Sequence, residues 1–278
     1  MTTDAPPRPR KEKVVGGQLI VAGFHRSGTS AAARLLHQAG VHMGDDLVGV
    51  RLSNPFGHYE DLAVVRLHEA LLADNGRTWQ VDEDLRPVVS PPRREELCAF
   101  AGGRQEGHRI WGFKDPRVCV FLPVWKELLP EVRVVVVFRH YAGAVASLHR
   151  REARLARAGE EPIALHRRFW EVPGLALRMW LVHNRALLDF ARTHPADVLA
   201  VSFDQLRAGL PLVSALKARW GLDLGTVATF EAVQPGFPDP EHLPPRPAAK
   251  RLAAEADEVL AALEGLAAET AREGGGSA

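Results

Sequence analysis

Residues 18–40 read QLIVAGFHRSGTSAAARLLHQAG, and the order of elements in this stretch decides the fold. Residues 18–22 are apolar and short, which predicts a strand. Ala31, Ala32, Leu35, Leu36 and Ala39 then fall on one helical stripe, and Gly40 stops the helix. Between strand and helix lies GFHRSGTS, residues 23–30, with Gly23 and Gly28 in a G-x-x-x-x-G frame. In such a frame successive backbone N–H groups and the helix N-terminus form an anion cradle. A nucleoside-triphosphate loop carries a lysine where this chain has Thr29, followed by Ser30. That lysine serves the β- and γ-phosphates, so its absence argues against ATP and GTP.

The same pattern repeats along the chain. Residues 109–113 and 133–138 read as further strands, and residues 197–201 as a weaker fourth. The run VRVVVVF is apolar on both faces, as a central strand covered by helices on both sides requires. Helical patterns occupy residues 142–151 and 175–193, with Trp180, Leu181, Asn184, Leu187 and Leu188 on neighbouring faces of the second. Residues 62–72 form an amphipathic run, and residues 248–272 an Ala/Leu/Glu-rich helix. Strand and helix in alternation predict an α/β fold, a doubly wound parallel sheet with helices on both faces. Ligands of such sheets bind beyond the carboxyl ends of the strands, so the loops there carry the chemistry.

Composition narrows the function classes. With 46% hydrophobic and 25% charged residues over 278, the chain has ordinary globular proportions. Its net charge of +1 offers no broad surface for nucleic acid, so an anion site has to be built locally. No apolar run exceeds five residues, against the ~20 of a membrane helix, so no membrane partner is expected. Residues 1–15 are polar and Pro-rich and read as a disordered tail, residues 16–272 as one domain, and residues 273–278 as a disordered end. The Pro-rich residues 235–247 predict an extended loop. Cys98 and Cys119 lack any metal or redox spacing, which predicts two inert core thiols and a reduced, cytoplasmic setting. The histidines show no HExxH-type spacing, so no metal is expected.

The loop also carries Arg26 and hydroxyls at Ser27, Thr29 and Ser30, which suit one phosphate bearing a sulfuryl group. Here the sequence resembles the sulfotransferases that use 3′-phosphoadenosine-5′-phosphosulfate (PAPS), whose 5′-phosphosulfate loop often reads R-S-G-[ST]-[ST]. The resemblance implies a P-loop-like sulfotransferase architecture in which Arg26, Ser27, Gly28, Thr29 and Ser30 hold the 5′-phosphosulfate. It also implies that Arg139, at the end of the third strand, and Ser147, eight residues on, hold the 3′-phosphate. Arginine gives phosphate a planar bidentate fork and the serine adds one donor. The family often has proline after this Arg-His pair, where this chain has Tyr141.

NPFGHYED at residues 54–61 and WGFKDPR at residues 111–117 resemble two segments of a bacterial branch of that family. By this likeness Glu60 is the base, and Lys114, with Arg26, the cation beside the transferring group. His58 and His25 are rival bases. Asp61 and Glu60 also suit the positive end of the helix that follows, and Lys114 also suits a surface pair with Asp115. Asp115 and Arg117 read as loop braces, and Trp79, Trp111 and Trp125 as core or pocket wall. The family's C-terminal Gly-rich cofactor segment has no match; Arg246 or Arg251 stands nearest to that role. A family tyrosine near the fourth strand is replaced by Phe203.

The expected reaction moves a sulfuryl group from PAPS to a hydroxyl or amine of an acceptor, leaving adenosine 3′,5′-bisphosphate. Residues 74–92, 151–173 and 235–247 are the loops expected to line the acceptor site, whose class the sequence does not name. Heavy use of Ala, Arg and Gly fits a GC-rich bacterial genome, with tailoring of a secondary metabolite as a working hypothesis. A small-metabolite kinase of the P-loop type and a non-catalytic nucleotide sensor are the alternatives. Against the kinase stand Thr29 and the lack of an acidic residue at the end of the third strand.

Overall fold

The computed structural model describes residues 17–54, 57–227 and 250–274. Four strands, β1 (Gly17–Ala22), β2 (Ile110–Lys114), β3 (Arg133–Phe138) and β4 (Val198–Ser202), form one parallel sheet in the order β2-β1-β3-β4. β3 falls where its β-branched run predicts; β2 and β4 each sit one residue later than expected. That single step puts Lys114 at the buried end of β2 and not in the loop beyond it.

Alternation along β3 splits the core in two. Val134, Val136 and Phe138 face one layer with Ile20, Ala22 and Phe113, and Val135 and Val137 face the other with Leu19, Val21 and Val201. The first layer is covered by α2 (Leu62–Asp74), α4 (Leu122–Leu128), α7 (Leu175–Thr193) and α10 (Lys250–Gly274). The second is covered by α1 (Thr29–Gln38), α8 (Phe203–Arg207) and α9 (Leu212–Trp220). Residues 134–138 are at most 1% exposed. At about 1.5–3 kcal/mol for each large apolar side chain, this strand alone anchors the fold.

α4, α8 and α9 were not foreseen, and three further helices go beyond the expectation. α3 (Pro91–Gly107) was not foreseen; its proline pair sits in the first turn, where proline's missing N–H costs nothing. α5 (Tyr141–Ala158) runs past Arg151, and α6 (Ile163–Glu171) follows it, so most of residues 151–173 is helix and not loop. The stretch RREARLARA has no apolar stripe, but Arg and Ala are strong helix formers. Buried Glu152 fastens the two helices through His166 Nδ1 at 2.6 Å, while accepting from Arg151 at 2.5 Å. Cys98 is exposed on α3, contrary to the expected core thiol, and Cys119 is buried. The tail at 1–15, the loop at 235–247 with Arg246, and residues 275–278 lie outside the described residues; α10 itself continues to Gly274.

From β1 the chain moves to β2 on one side, then crosses to β3 and β4 on the other. The order therefore reverses between β1 and β3, the place where sheets of this kind have their binding crevice, beyond the carboxyl ends of the strands. The loop after β1 and Arg139 after β3 are the two sides of that crevice.

Candidate active site

Two contacts shape the loop after β1. A Cβ on Gly23 would lie 2.1 Å from the Val137 carbonyl oxygen, so only glycine lets the loop leave beside β3. Gly28 has φ of 92° and a Cβ there would lie 2.4 Å from the Phe203 ring. Arg26 too takes a positive φ, 66°. Ser27 N–H closes a turn on Phe24 C=O at 3.2 Å, and Thr29 opens α1. The first N–H groups of a helix have no intrahelical acceptor, so α1 points its donors into the cradle. Ser27 Oγ is buried with no partner among the described residues.

The segment before α2 is fastened onto this cradle. Ser30 Oγ donates to His58 C=O at 3.2 Å, and Asn54 Nδ2 donates to Ser30 Oγ at 3.3 Å and Gly57 C=O at 2.6 Å. Arg26 reaches the same segment, donating to Ser53 C=O at 3.3 Å. The neighbouring carboxylates Glu60 and Asp61 divide the work proposed for them. Asp61 caps α2 by accepting from Ala63 N–H at 3.0 Å. Glu60 turns to Lys114 Nζ at 2.6 Å, with His58 Nδ1 at 3.6 Å from the same oxygen.

Lys114 is 1% exposed. Burial alone pushes Glu60's carboxyl up, but Lys114, then nearby His58 and Arg117, hold it well below the usual carboxylate range. Asp115 has other partners. It accepts from Arg117 at 2.9 Å and meets buried His68 Nδ1 at 2.9 Å. Trp125 Nε1 donates to His68 Nε2 at 2.8 Å, which leaves the imidazole proton on Nδ1 for Asp115.

Across the crevice, Arg139 is buried, with its guanidinium 4.7 Å from the centre of the Phe203 ring. Trp180 Nε1 donates to its backbone carbonyl at 3.2 Å. Ser147 is buried on α5, and Arg26 Nε donates to its Oγ at 3.0 Å. Residues 121 positions apart thus meet at the switch point. Phe203 touches both sides, the cradle at Gly28 and the guanidinium at Arg139. Burial, then Arg151, Arg154, Arg139 and Arg150, push Arg26 down to about 10, so it stays charged at neutral pH in a crowd of like charges.

No known family model matches the chain, and no curated protein matches it. Its structure is similar to those of solved sulfotransferases. A sulfotransferase from Alicyclobacillus acidocaldarius is 16% identical, with 91% of this chain and 96% of that one covered and a TM-score of 0.49. The sulfotransferase domain from the Synechococcus PCC 7002 olefin synthase is 18% identical over 96% and 98%, with a TM-score of 0.47. That from the curacin biosynthetic pathway is 13% identical over 81% and 80%, with a TM-score of 0.45.

His25, the other rival base, makes no hydrogen bond to the Glu60–Lys114 pair. Its ring is buried edge-on to Trp79 at 5.0 Å, and its Nε2 has no partner among the described residues. Burial, then Arg151 and His183, push its pKa well below the usual value, so it is neutral. Trp111 and Trp125 are core, while Trp79 is half-buried beneath Arg151. Arg251 lies on α10, exposed, beside Glu255 at 3.3 Å.

Ser53, Asn54 and Arg151 join the site without having been singled out. Ser53 and Asn54 act through a turn whose partners are 24 to 28 residues away, and no local pattern marks such residues. One cluster appears that spacing did not show: His42, Asp45 and His108. Arg104 already engages two of its members, 2.7 Å from His42 Nε2 and 2.5 Å from Asp45. The two imidazoles also stack in parallel at 3.5 Å, so their in-plane lone pairs cannot both point at one ion. Among the described residues no helix is long and apolar enough to cross a membrane.

Proposed function

We propose that this chain is a PAPS-dependent sulfotransferase. The observation that carries the reading is the meeting of Arg26 and Ser147 at 3.0 Å across the switch point, with Arg139 against the same Phe203 that packs on Gly28. A ligand with anions on both the 3′ and 5′ positions of one ribose meets two such anchors, and a triphosphate does not need the second. The arginines crowding Arg26, and the unpartnered Ser27 hydroxyl beside it, favour a highly anionic guest.

When bound, PAPS supplies an activated sulfuryl group for in-line transfer. Arg26, Ser27, Gly28, Thr29 and Ser30 hold its 5′-phosphosulfate, and Arg139 and Ser147 its 3′-phosphate. Arg26 and Lys114 stabilise the charge growing on the bridging oxygen, as fixed cations do in phosphoryl transfer. Glu60, kept ionised, takes the proton of the acceptor hydroxyl or amine once Lys114 turns toward the transferring group. The role of Lys114 is thus double: it holds Glu60 charged and then releases it. No residue role here calls for a metal ion.

Thermal stability tests the reading, because a ligand that binds only the native state raises the melting temperature by mass action. Adenosine 3′,5′-bisphosphate is expected to raise it clearly, and ATP with magnesium much less at equal concentration. Better protection by ATP–magnesium would favour a kinase.

A further inference from the structure

Ser53 is half-buried beside the cradle, and its Oγ meets His58 Nε2 at 2.7 Å. On the far side of the imidazole, Nδ1 lies 3.6 Å from Glu60 Oε1. The carboxylate's charge favours the proton on Nδ1, which leaves the Nε2 lone pair facing the serine hydroxyl. Hydroxyl, imidazole and carboxylate therefore stand in the nucleophile–base–orienter order that activates a serine.

Position separates this arrangement from an ordinary turn. Arg26, the arginine of the cradle, donates to the Ser53 carbonyl at 3.3 Å. Ser30, in the first turn of α1, holds the His58 carbonyl, and Asn54 holds Ser30. The serine is thus tied to the residues that would carry the sulfuryl group. Glu60 already has Lys114 on the oxygen that faces His58, so the carboxylate stays charged and the imidazole stays oriented.

We propose that Ser53 is itself a sulfuryl acceptor, a self-modification site within the crevice. The proposal rests on PAPS as the donor. Ser53 Oγ forms the new bond to sulfur, and the bond from sulfur to the 5′-phosphate oxygen breaks, its electron pair leaving with adenosine 3′,5′-bisphosphate. The serine proton passes to His58 Nε2. The product is a serine sulfate ester, whose negative charge lies next to Arg26.

The test incubates the full chain with radiolabelled PAPS and no acceptor, followed by intact mass and peptide mapping. One sulfuryl group per chain is expected, on the peptide that contains Ser53. Ser53→Ala should carry none, and His58→Ala should acquire it slower by roughly 10²-fold or more, the loss of a general base. Ser53→Ala should still be protected by the bisphosphate, since Arg26 reaches only the backbone carbonyl of residue 53. Protection of the wild type without modification would overturn this proposal alone, as would label that persists in Ser53→Ala or maps elsewhere. A wild type that the bisphosphate fails to protect would overturn both this proposal and the PAPS reading.

Discussion

Glu60→Gln is expected to slow single-turnover sulfuryl transfer by roughly 10²–10⁴-fold, the usual loss when one general base is removed. Gln keeps the shape of the side chain and can still accept from Lys114 Nζ, now at 2.6 Å from Glu60, but it cannot take a proton. The phosphate anchors are untouched, so bisphosphate affinity should hold. The acceptor for the assay is whichever member of a panel of phenols, sugars and hydroxy acids turns over fastest. Stability should fall too, since Lys114's buried charge loses its partner, so transfer by the folded fraction is the deciding readout: if Glu60 only settled the start of α2, that transfer would survive. Asp61 already caps that helix, so this outcome is not expected. Near-normal transfer with unchanged affinity would move proton acceptance to His58.

Lys114→Met is expected to cost about 3–5 kcal/mol of stability, the scale for removing one partner of a buried ion pair. Lys114 is 1% exposed, and losing it leaves Glu60's charge in the interior without its nearest cation. For a chain of this size that is a fall in melting temperature on the order of ten degrees. The loss should depend on pH. In the wild type Glu60's depressed pKa adds stability above the ordinary glutamate value of about 4.3, and that contribution fades as pH falls below it. In the variant the largest opposing charge is gone and burial pushes the carboxyl up, so protonation relieves the strain of burying it. The deficit should therefore be greatest at neutral pH and shrink in acid. Glu60→Gln with Lys114→Met should recover much of the lost stability, because no unpaired charge remains buried. A double variant as unstable as the sum of the singles would mean that the two residues do not act as a pair.

The sheet was legible because its signals are local. VVVVF can pack only between two covered faces, and the small residues at 23 and 28 are forced by the Val137 carbonyl and the Phe203 ring. α7 was legible for the same reason, its apolar stripe reaching from Leu175 to Ala191. The helices after Arg151 were not, since the end of α5 and the short α6 are rich in arginine and are tied together by a buried glutamate, Glu152, whose partner lies 14 positions on. The residue types of the crevice could be named from motifs, but their pairings could not. Glu60 meets Lys114 across 54 positions, and Arg26 meets Ser147 across 121. Such contacts follow from strand register, and a one-residue step at β2 decides whether Lys114 is a surface lysine or a buried one. Phe203, where the family has a tyrosine, gave no sign of its role in the sequence; in the fold its ring joins the two sides of the crevice.

The most direct measurement titrates two nucleotides into wild type and Arg139→Ala by calorimetry. One is adenosine 3′,5′-bisphosphate, and the other is adenosine 5′-phosphosulfate, which lacks the 3′-phosphate. If Arg139 holds the 3′-phosphate, the substitution weakens the bisphosphate by about 1.5–3 kcal/mol, a factor of ten to more than a hundred. The 5′-phosphosulfate should bind both proteins alike. Equal losses for the two ligands, or no loss for either, would contradict a crevice built around PAPS.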